Sequence, residues 1–210
     1  MREPQVAVVA AAVLAGGASR RMGRDKATMP VGGSPLAVRV LAAAARVADP
    51  VVLVAPVGHH ARGLVAAEGG AGGVTAGVVT DPGDGPLAAL AAALAALDAG
   101  HVLVLAGDHP GLRVELLAHL VSLRGRAEAV ACRRGGRLEP LVAVYQRGPA
   151  LAAARARLGG GDRSLQGLLA ALRTLVVEEP EWRGLDPDGS SFADLDDPAD
   201  VEAWRRRRRD

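Results

Sequence analysis

The chain has no asparagine, no isoleucine, one cysteine, one lysine and few aromatics, the last making up 2% of its 210 residues. A lone cysteine, Cys132, cannot close an internal disulfide, and no Cys/His pair has the spacing of a zinc site. With so few aromatics, the core of this 50% hydrophobic chain must be built from Ala, Val and Leu. The apolar runs are short and broken by Gly, Pro or charge, so none reaches the ~20 residues of a transmembrane helix. The opening MREPQVAVVAAAVLAGG places a charge ahead of an apolar run, as a signal peptide does. That run passes straight into a glycine-rich turn, as a first buried strand does. The reading is therefore a cytoplasmic protein with no membrane partner.

Charge is scarce in net rather than in number: Lys+Arg total 25 and Asp+Glu 23. Setting aside Arg205–Arg209 and Asp210 leaves 20 basic and 22 acidic side chains, a net of −2. Such a body is not a nucleic-acid surface, and no nucleic acid is expected as partner. The arginine run reads as a solvated terminus; contact with an anionic polymer or lipid is the alternative. The length suits one compact α/β domain over residues 1–204, followed by an Arg-rich tail at 205–210. The basic residues are 24 arginines and the single Lys26. Residue types with A/T-rich codons are rare throughout, which reads as a G/C-rich coding bias. Where arginine supplies positive charge almost everywhere, a lone lysine in a glycine-rich loop needs a reason. Lysine offers a compact ammonium on a flexible stem, which arginine does not mimic.

Strand-like runs alternate with helical spacing. Val6–Leu14, Val51–Ala55, Val74–Val79, His101–Ala106, Ala127–Cys132, Leu138–Tyr145 and Leu175–Val177 read as strands. Leu87, Leu90, Leu94 and Leu97 step by 3, 4 and 3, one face of a helix. Further helices are expected near 35–47, 59–67, 112–120, 149–158, 164–172 and 198–206. This alternation predicts a three-layer α/β/α arrangement around a mostly parallel, Rossmann-like sheet. Gly69–Gly73 and Asp186–Ser191 read as loops. In such a sheet ligands bind beyond the carboxyl ends of the strands. Three polar segments follow strands there and are expected to converge: Ala15–Lys26, Asp81–Pro86 and Gly107–Gly111.

The first of them runs Leu14-Ala15-Gly16-Gly17-Ala18-Ser19-Arg20-Arg21-Met22-Gly23-Arg24-Asp25-Lys26. Glycines allow tight bends and bring backbone N–H groups close to an anion, while Arg20, Arg21 and Lys26 add positive charge. The pattern suits a polyphosphate, or is a basic surface loop after an edge strand. It is neither a P-loop, lacking Gly-Lys-Ser/Thr at the required spacing, nor a dinucleotide fingerprint, lacking G-x-G-x-x-G. Asp108, at the end of an apolar run, reads on its own as a helix cap, and Asp81 as a turn residue. Asp25 either orients Lys26 or is a surface charge. His109 is read as a spectator, His59 and His60 as a solvated helix start, and Cys132 as part of an interior strand. Arg133, Arg134 and Arg137 flank a turn and read as solvated, the alternative being contact with a phosphate.

The segment from Leu14 to Lys26 resembles the signature of the molybdenum cofactor guanylyltransferases, close to L-A-G-G-x-S-x-R-M-G-x-D-K, within the nucleotide-diphospho-sugar transferase type of fold. Every specified position is met. At lower specificity, Asp81–Leu87 resembles the family's D…GPLAG turn and Ala106–Pro110 its C-D-x-P metal motif. Glu139–Tyr145 is similar to its Q-P-L-x-A-L-Y strand, and Asp194–Asp200 to its terminal N-x-N-T-P-x-D. The resemblance implies transfer of GMP from GTP to the phosphate of molybdopterin (the Mo cofactor), with release of pyrophosphate. It implies nucleotide contacts at Leu14, Ala15, Gly16, Gly17, Lys26, Asp81 and Asp108. Lys26, Arg20 and Asp108 would be catalytic, with Asp108 binding Mg²⁺. Other cofactor-biosynthesis proteins or apo-molybdoenzymes are further implied partners.

The chain departs from the family pattern in several places. Pro56 stands near the family's asparagine after the second strand. Gly107 replaces Cys, Ala89 the last Gly of GPLAG, and Glu139 Gln. Asp194 and Asp196 replace the terminal asparagines and lose their amide donors. Two other readings remain at this level: a relative using CTP or another phosphorylated acceptor, and a non-catalytic nucleotide-binding regulator. The cytidylyl relatives usually read L-A-A-G and lack the Asp before Lys, so Gly16 and Asp25 favour the guanylyl branch. Lys26 and Asp108, both in context, argue against the regulator.

Overall fold

All residues of strand β1, Val9–Leu14, are buried, and they alternate between two cores. Val9, Ala11 and Val13 pack in one, and Ala10, Ala12 and Leu14 in the other. Alternation with both sides apolar is what a strand covered on both faces requires. The computed structural model describes residues 9–16, 26–66, 76–195 and 204.

Beside β1 lie β4 (Val51–Ala55) and β6 (His101–Ala106), both parallel to it, and β5 (Gly77–Thr80) is parallel to β4. The other half of the sheet comprises β8 (Arg137–Gln146), β7 (Ala129–Arg134) and β9 (Thr174–Val177). The full order is β5-β4-β1-β6-β8-β7-β9. Only β8 runs against its neighbours, antiparallel to both β6 and β7. The sheet is thus mostly parallel, as the alternation of strand and helix predicts.

Helices cover both faces. On one side α1 (Leu36–Ala44), α2 (Ala61–Ala66) and α4 (Val114–Ser122) meet the core of Val13, Leu53, Leu103 and Leu105. A short α7 (Glu179–Arg183) closes that side, with Trp182 edge-on to Phe192 at 5.0 Å between ring centroids. On the opposite side lie α3 (Pro86–Ala96), α5 (Arg147–Gly159) and α6 (Leu165–Ala171). The alanines of β1 and α3 let that helix sit close to the sheet. Tyr145, fully buried there, donates its hydroxyl to Pro140 O at 2.8 Å, and burial raises its pKa. Cys132 is buried in β7, and desolvation pushes its thiol up to about 12. Among the described residues, no helix is long and apolar enough to cross a membrane.

Several boundaries differ from the sequence expectation. The strand expected from Val74 begins, among the described residues, at Gly77. The two-residue strands β2 (Pro30–Val31) and β3 (Ser34–Pro35) form a small hairpin that carries no strand-length pattern. α7 is also too short to show helical periodicity. The first three residues of the expected Val6–Leu14 strand fall outside the described residues, as does all but Trp204 of the expected terminal helix. Trp204 packs with Val31, Leu36 and Leu195. Arg205–Arg209 also lie outside the described residues.

Candidate active site

The site is assembled by register. Leu14 of β1 pairs with Val54 of β4 and with Ala106 of β6, while Ala55 pairs with Thr80 of β5. Four parallel strands therefore end at one level, and their following loops leave from the same edge. Backbone bonds carry the alignment one residue further. Ala15 N–H donates to Val54 O at 2.8 Å, Gly107 N–H to Leu14 O at 2.9 Å, and Asp81 N–H to Ala55 O at 3.1 Å.

The three loops meet through glycines. A Cβ on Gly16 would overlap Oδ2 of Asp81 and stand 3.1 Å from its Cγ. The Asp81 carboxylate thus occupies the space that a side chain at Gly16 would need. A Cβ on Gly107 would stand 3.0 Å from Leu14 O and 3.2 Å from Ala15 Cα. Gly107, where the family pattern has Cys, is consequently where the β6 loop presses on the end of β1. The other carboxylate oxygen of Asp81, Oδ1, accepts Gly83 N–H at 2.8 Å. Asp81 is therefore a turn residue whose second oxygen faces the first loop. Gly83 and Gly85 have φ of +82° and +87°, backbone that other residues rarely adopt.

Asp108 is the second residue after β6. It is not a helix cap: α4 begins after Arg113, and no side chain caps it. Its side chain is 35% exposed, and the His109 Nε2 stands 3.9 Å from its Oδ1. Among the described residues, Nδ1 of the buried His109 has no hydrogen-bond partner. Among the described residues no three His, Cys, Asp or Glu side chains cluster as a protein-only metal cage. A half-exposed carboxylate without a cage suits Mg²⁺, which prefers one or two carboxylates with phosphate oxygens and waters.

Sequence reasoning missed what holds this loop. Asp186, in a segment read only as loop, is fully buried. It accepts Ser190 N–H at 3.0 Å, Ser190 Oγ–H at 3.1 Å and Ser191 N–H at 2.9 Å. Ser190 Oγ also contacts Gly111 O at 2.9 Å, and Ser191 Oγ accepts Arg113 N–H at 2.9 Å. Leu195 N–H donates to Asp108 O at 3.2 Å. The turn after β6 thus rests on a segment some 80 positions later. The Asp-Pro-Asp-Gly-Ser-Ser string was the available signal, since Asp followed by Ser commonly builds such turns.

Lys26 opens a 3-10 turn, Lys26–Thr28, whose next residue Ala27 is buried. Gly17, Arg20 and Asp25 lie outside the described residues, as does Asp196. Asp194 is exposed. On the β6 side, β8 pairs Val142 with Leu105, so residues 137–140 extend past the carboxyl end of β6. The β7–β8 turn accordingly overhangs the Asp108 edge. A cavity of 440 Å³ lies against it, with Arg134, Arg137, Glu139 and Gln166 among its walls. Glu139 accepts Arg134 Nε–H at 2.9 Å, and Arg133 pairs with Glu178 at 3.2 Å.

Comparison with known proteins places this arrangement. A family model described as a MobA-like NTP transferase domain matches residues 11–177. A protein of Synechococcus elongatus named probable molybdenum cofactor guanylyltransferase is 37% identical over 183 residues, 82% of this chain and 90% of that protein. One of the same name from Opitutus terrae is 37% identical, covering 95% and 96%. The crystal structure of molybdopterin-guanine dinucleotide biosynthesis protein A from Archaeoglobus fulgidus superposes with a TM-score of 0.79 at 24% identity, covering 95% and 98%, a likeness of fold. The chain belongs to the MobA-like NTP transferase family and is a nucleotidyltransferase.

Proposed function

We propose that this enzyme transfers GMP from GTP to the phosphate of molybdopterin and releases pyrophosphate, a step of molybdenum cofactor biosynthesis. The observation that carries the reading is the contact of Asp81 with Gly16. Cytidylyl relatives usually carry alanine at that position, and here the carboxylate fills the space of its methyl group. The names of the relatives from Synechococcus elongatus and Opitutus terrae support the same substrates.

In the reaction an oxygen of the acceptor phosphate attacks the α-phosphorus of GTP. The bond from that phosphorus to the bridging oxygen breaks, and pyrophosphate leaves with the electron pair. The attacking group is already an anion, so no strong general base is needed, and His109 has no proton to move. The obstacle is repulsion between two anions, which fixed positive charge relieves. Leu14, Ala15, Gly16 and Gly17 would present backbone to the guanine. Lys26 and Arg20 would sit against the phosphates, and Asp81 would hold the nucleotide side. Asp108 would hold Mg²⁺, which supplies charge neutralisation at the transferring phosphoryl group. Residues 1–204 would act as one nucleotidyltransferase unit.

Pyrophosphate release, measured with each NTP, with and without loaded molybdopterin, tests the reading. Turnover is expected only with GTP and the pterin. CTP used well above GTP would overturn it, and binding without turnover under every acceptor would point to a regulator.

A further inference from the structure

The loop that carries Asp81 holds two glycines at positive φ, and α3 behind it starts at Pro86, with Gly85 at its N-cap and no side-chain cap bond. Yet one side chain grips it from across the molecule. Arg163 Nε donates to Asp84 Oδ1 at 2.6 Å, and Arg163 Nη2 to Asp84 Oδ2 at 2.8 Å, a two-point pairing across 79 positions. Arg163 Nη1 donates to Gly161 O at 2.9 Å, so three donors of one guanidinium are committed.

The far end of this grip is itself anchored. Asp162 Oδ1 accepts Ser164 N–H at 2.7 Å, and Ser164 Oγ accepts Gly167 N–H at 3.0 Å, capping α6. Gln166, in the first turn of α6, donates to Leu138 O at 2.6 Å, on the strand that overhangs Asp108. The short stretch of backbone 161–167, bonded at one end to Asp84 and at the other to Leu138, therefore joins the Asp81 loop to the β7–β8 side of the site. The Arg163 guanidinium also holds the Asp84 carboxyl below its ordinary range. It neutralises a carboxylate three residues from Asp81, which would otherwise repel a polyphosphate.

We propose that Arg163 and Asp84 are positioning residues for the donor nucleotide: their pairing fixes the Asp81 loop against Gly16 and joins it to the β8 side. This rests on the reading that Asp81 serves the nucleotide. A pair this exposed contributes little to global stability. Its effect falls on the loop, where small displacements weigh on binding and rate.

The test uses the full chain with Asp84→Asn, Arg163→Ala, both together, and the exchanged pair Asp84→Arg/Arg163→Asp. Steady-state turnover with GTP, Mg²⁺ and loaded molybdopterin is followed beside the melting temperature. Each single variant is expected to raise KM for GTP by about fivefold, with kcat and melting temperature little changed. The double variant should be no worse than either single, and the exchanged pair should recover most of the loss. If Asp84→Asn behaves as wild type while Arg163→Ala loses activity, Arg163 acts on a ligand alone and the proposal falls. If melting drops while KM holds, the pairing is merely structural and the proposal also falls. A wild-type enzyme that releases no pyrophosphate from GTP refutes the functional reading instead. Amide exchange at residues 81–85 then decides the clasp: faster exchange in both single variants upholds it, and unchanged exchange overturns it.

Discussion

Gly16→Ala is the substitution on which the assembled site depends most directly. Its methyl group would land on the Asp81 Oδ2 position, 3.1 Å from Cγ and 3.8 Å from Cβ. The backbone at Gly16 is the less yielding partner, because Ala15 is bonded to β4 and Leu14 to Gly107. Asp81 must therefore swing away. Doing so breaks the bond from Gly83 N–H to Oδ1, 2.8 Å long, at a net cost of about 1 kcal/mol or less. Residual crowding in a packed contact costs about 1–3 kcal/mol. The two together come to about 1–4 kcal/mol, and for a chain of this length each kcal/mol lowers Tm by roughly 2–4 °C, so a fall of roughly 2–16 °C is expected by calorimetry or circular dichroism. The decisive measurement is a double-mutant cycle. In an Asp81→Ala background the new methyl meets the remaining Cβ at 3.8 Å, an ordinary contact, and Gly16→Ala should cost less than about 0.5 kcal/mol, so the two substitutions couple strongly. Equal destabilisation in both backgrounds would refute the contact. The same cycle on turnover should show Gly16→Ala lowering kcat/KM for GTP by about 10- to 100-fold, an effect shared with Asp81→Ala rather than added to it.

Three further outcomes are expected. Lys26→Ala should lose both affinity for GTP and rate, and Lys26→Arg should not fully restore them, since a guanidinium does not reproduce a compact ammonium; full activity in either removes Lys26 from the mechanism. Asp108→Asn should lower turnover by roughly 100-fold or more and weaken its dependence on Mg²⁺ concentration, with circular dichroism unchanged; wild-type rates would dismiss it as the metal ligand. Asp186→Ala should destabilise the chain by about 2–4 kcal/mol in urea, because Ser190 N–H and Ser191 N–H lose their buried acceptor. Stability within error of wild type would mean that those groups find partners elsewhere.

The parts of the molecule legible in the sequence are those that repeat locally. His101–Ala106 reads as a strand because six apolar or half-buried positions run without interruption, and the structure gives it those bounds. Leu87, Leu90 and Leu94 share a helix face and are all fully buried on α3. The antiparallel run of β8 was not legible, because a strand's direction is set by its partners. The grip of Arg163 on Asp84 and the burial of Asp186 escaped for the same reason. Each joins residues far apart in the chain, and an Asp beside Gly and Pro looks like a solvated turn until its partner is known. Gly107 shows the converse case. Against the family pattern Gly107 is only a departure from Cys, whereas the close approach of Leu14 O gives the missing side chain a steric meaning. The change from asparagine to Asp194 also has a plain compositional origin in a chain without asparagine, and its carboxylate is exposed.

The dependence of the β6 turn on Ser190, Ser191 and Leu195 also has a consequence in time. A chain emerging from the ribosome can pair β1, β4, β5 and β6 as soon as they are made. The carbonyl of Asp108 and that of Gly111 wait for residues synthesised some 80 positions later. A nascent or prematurely ended chain would therefore hold its sheet before it holds its active-site turn. The turn that bears Asp108 is completed only when residues 190–195 close over the first-formed strands.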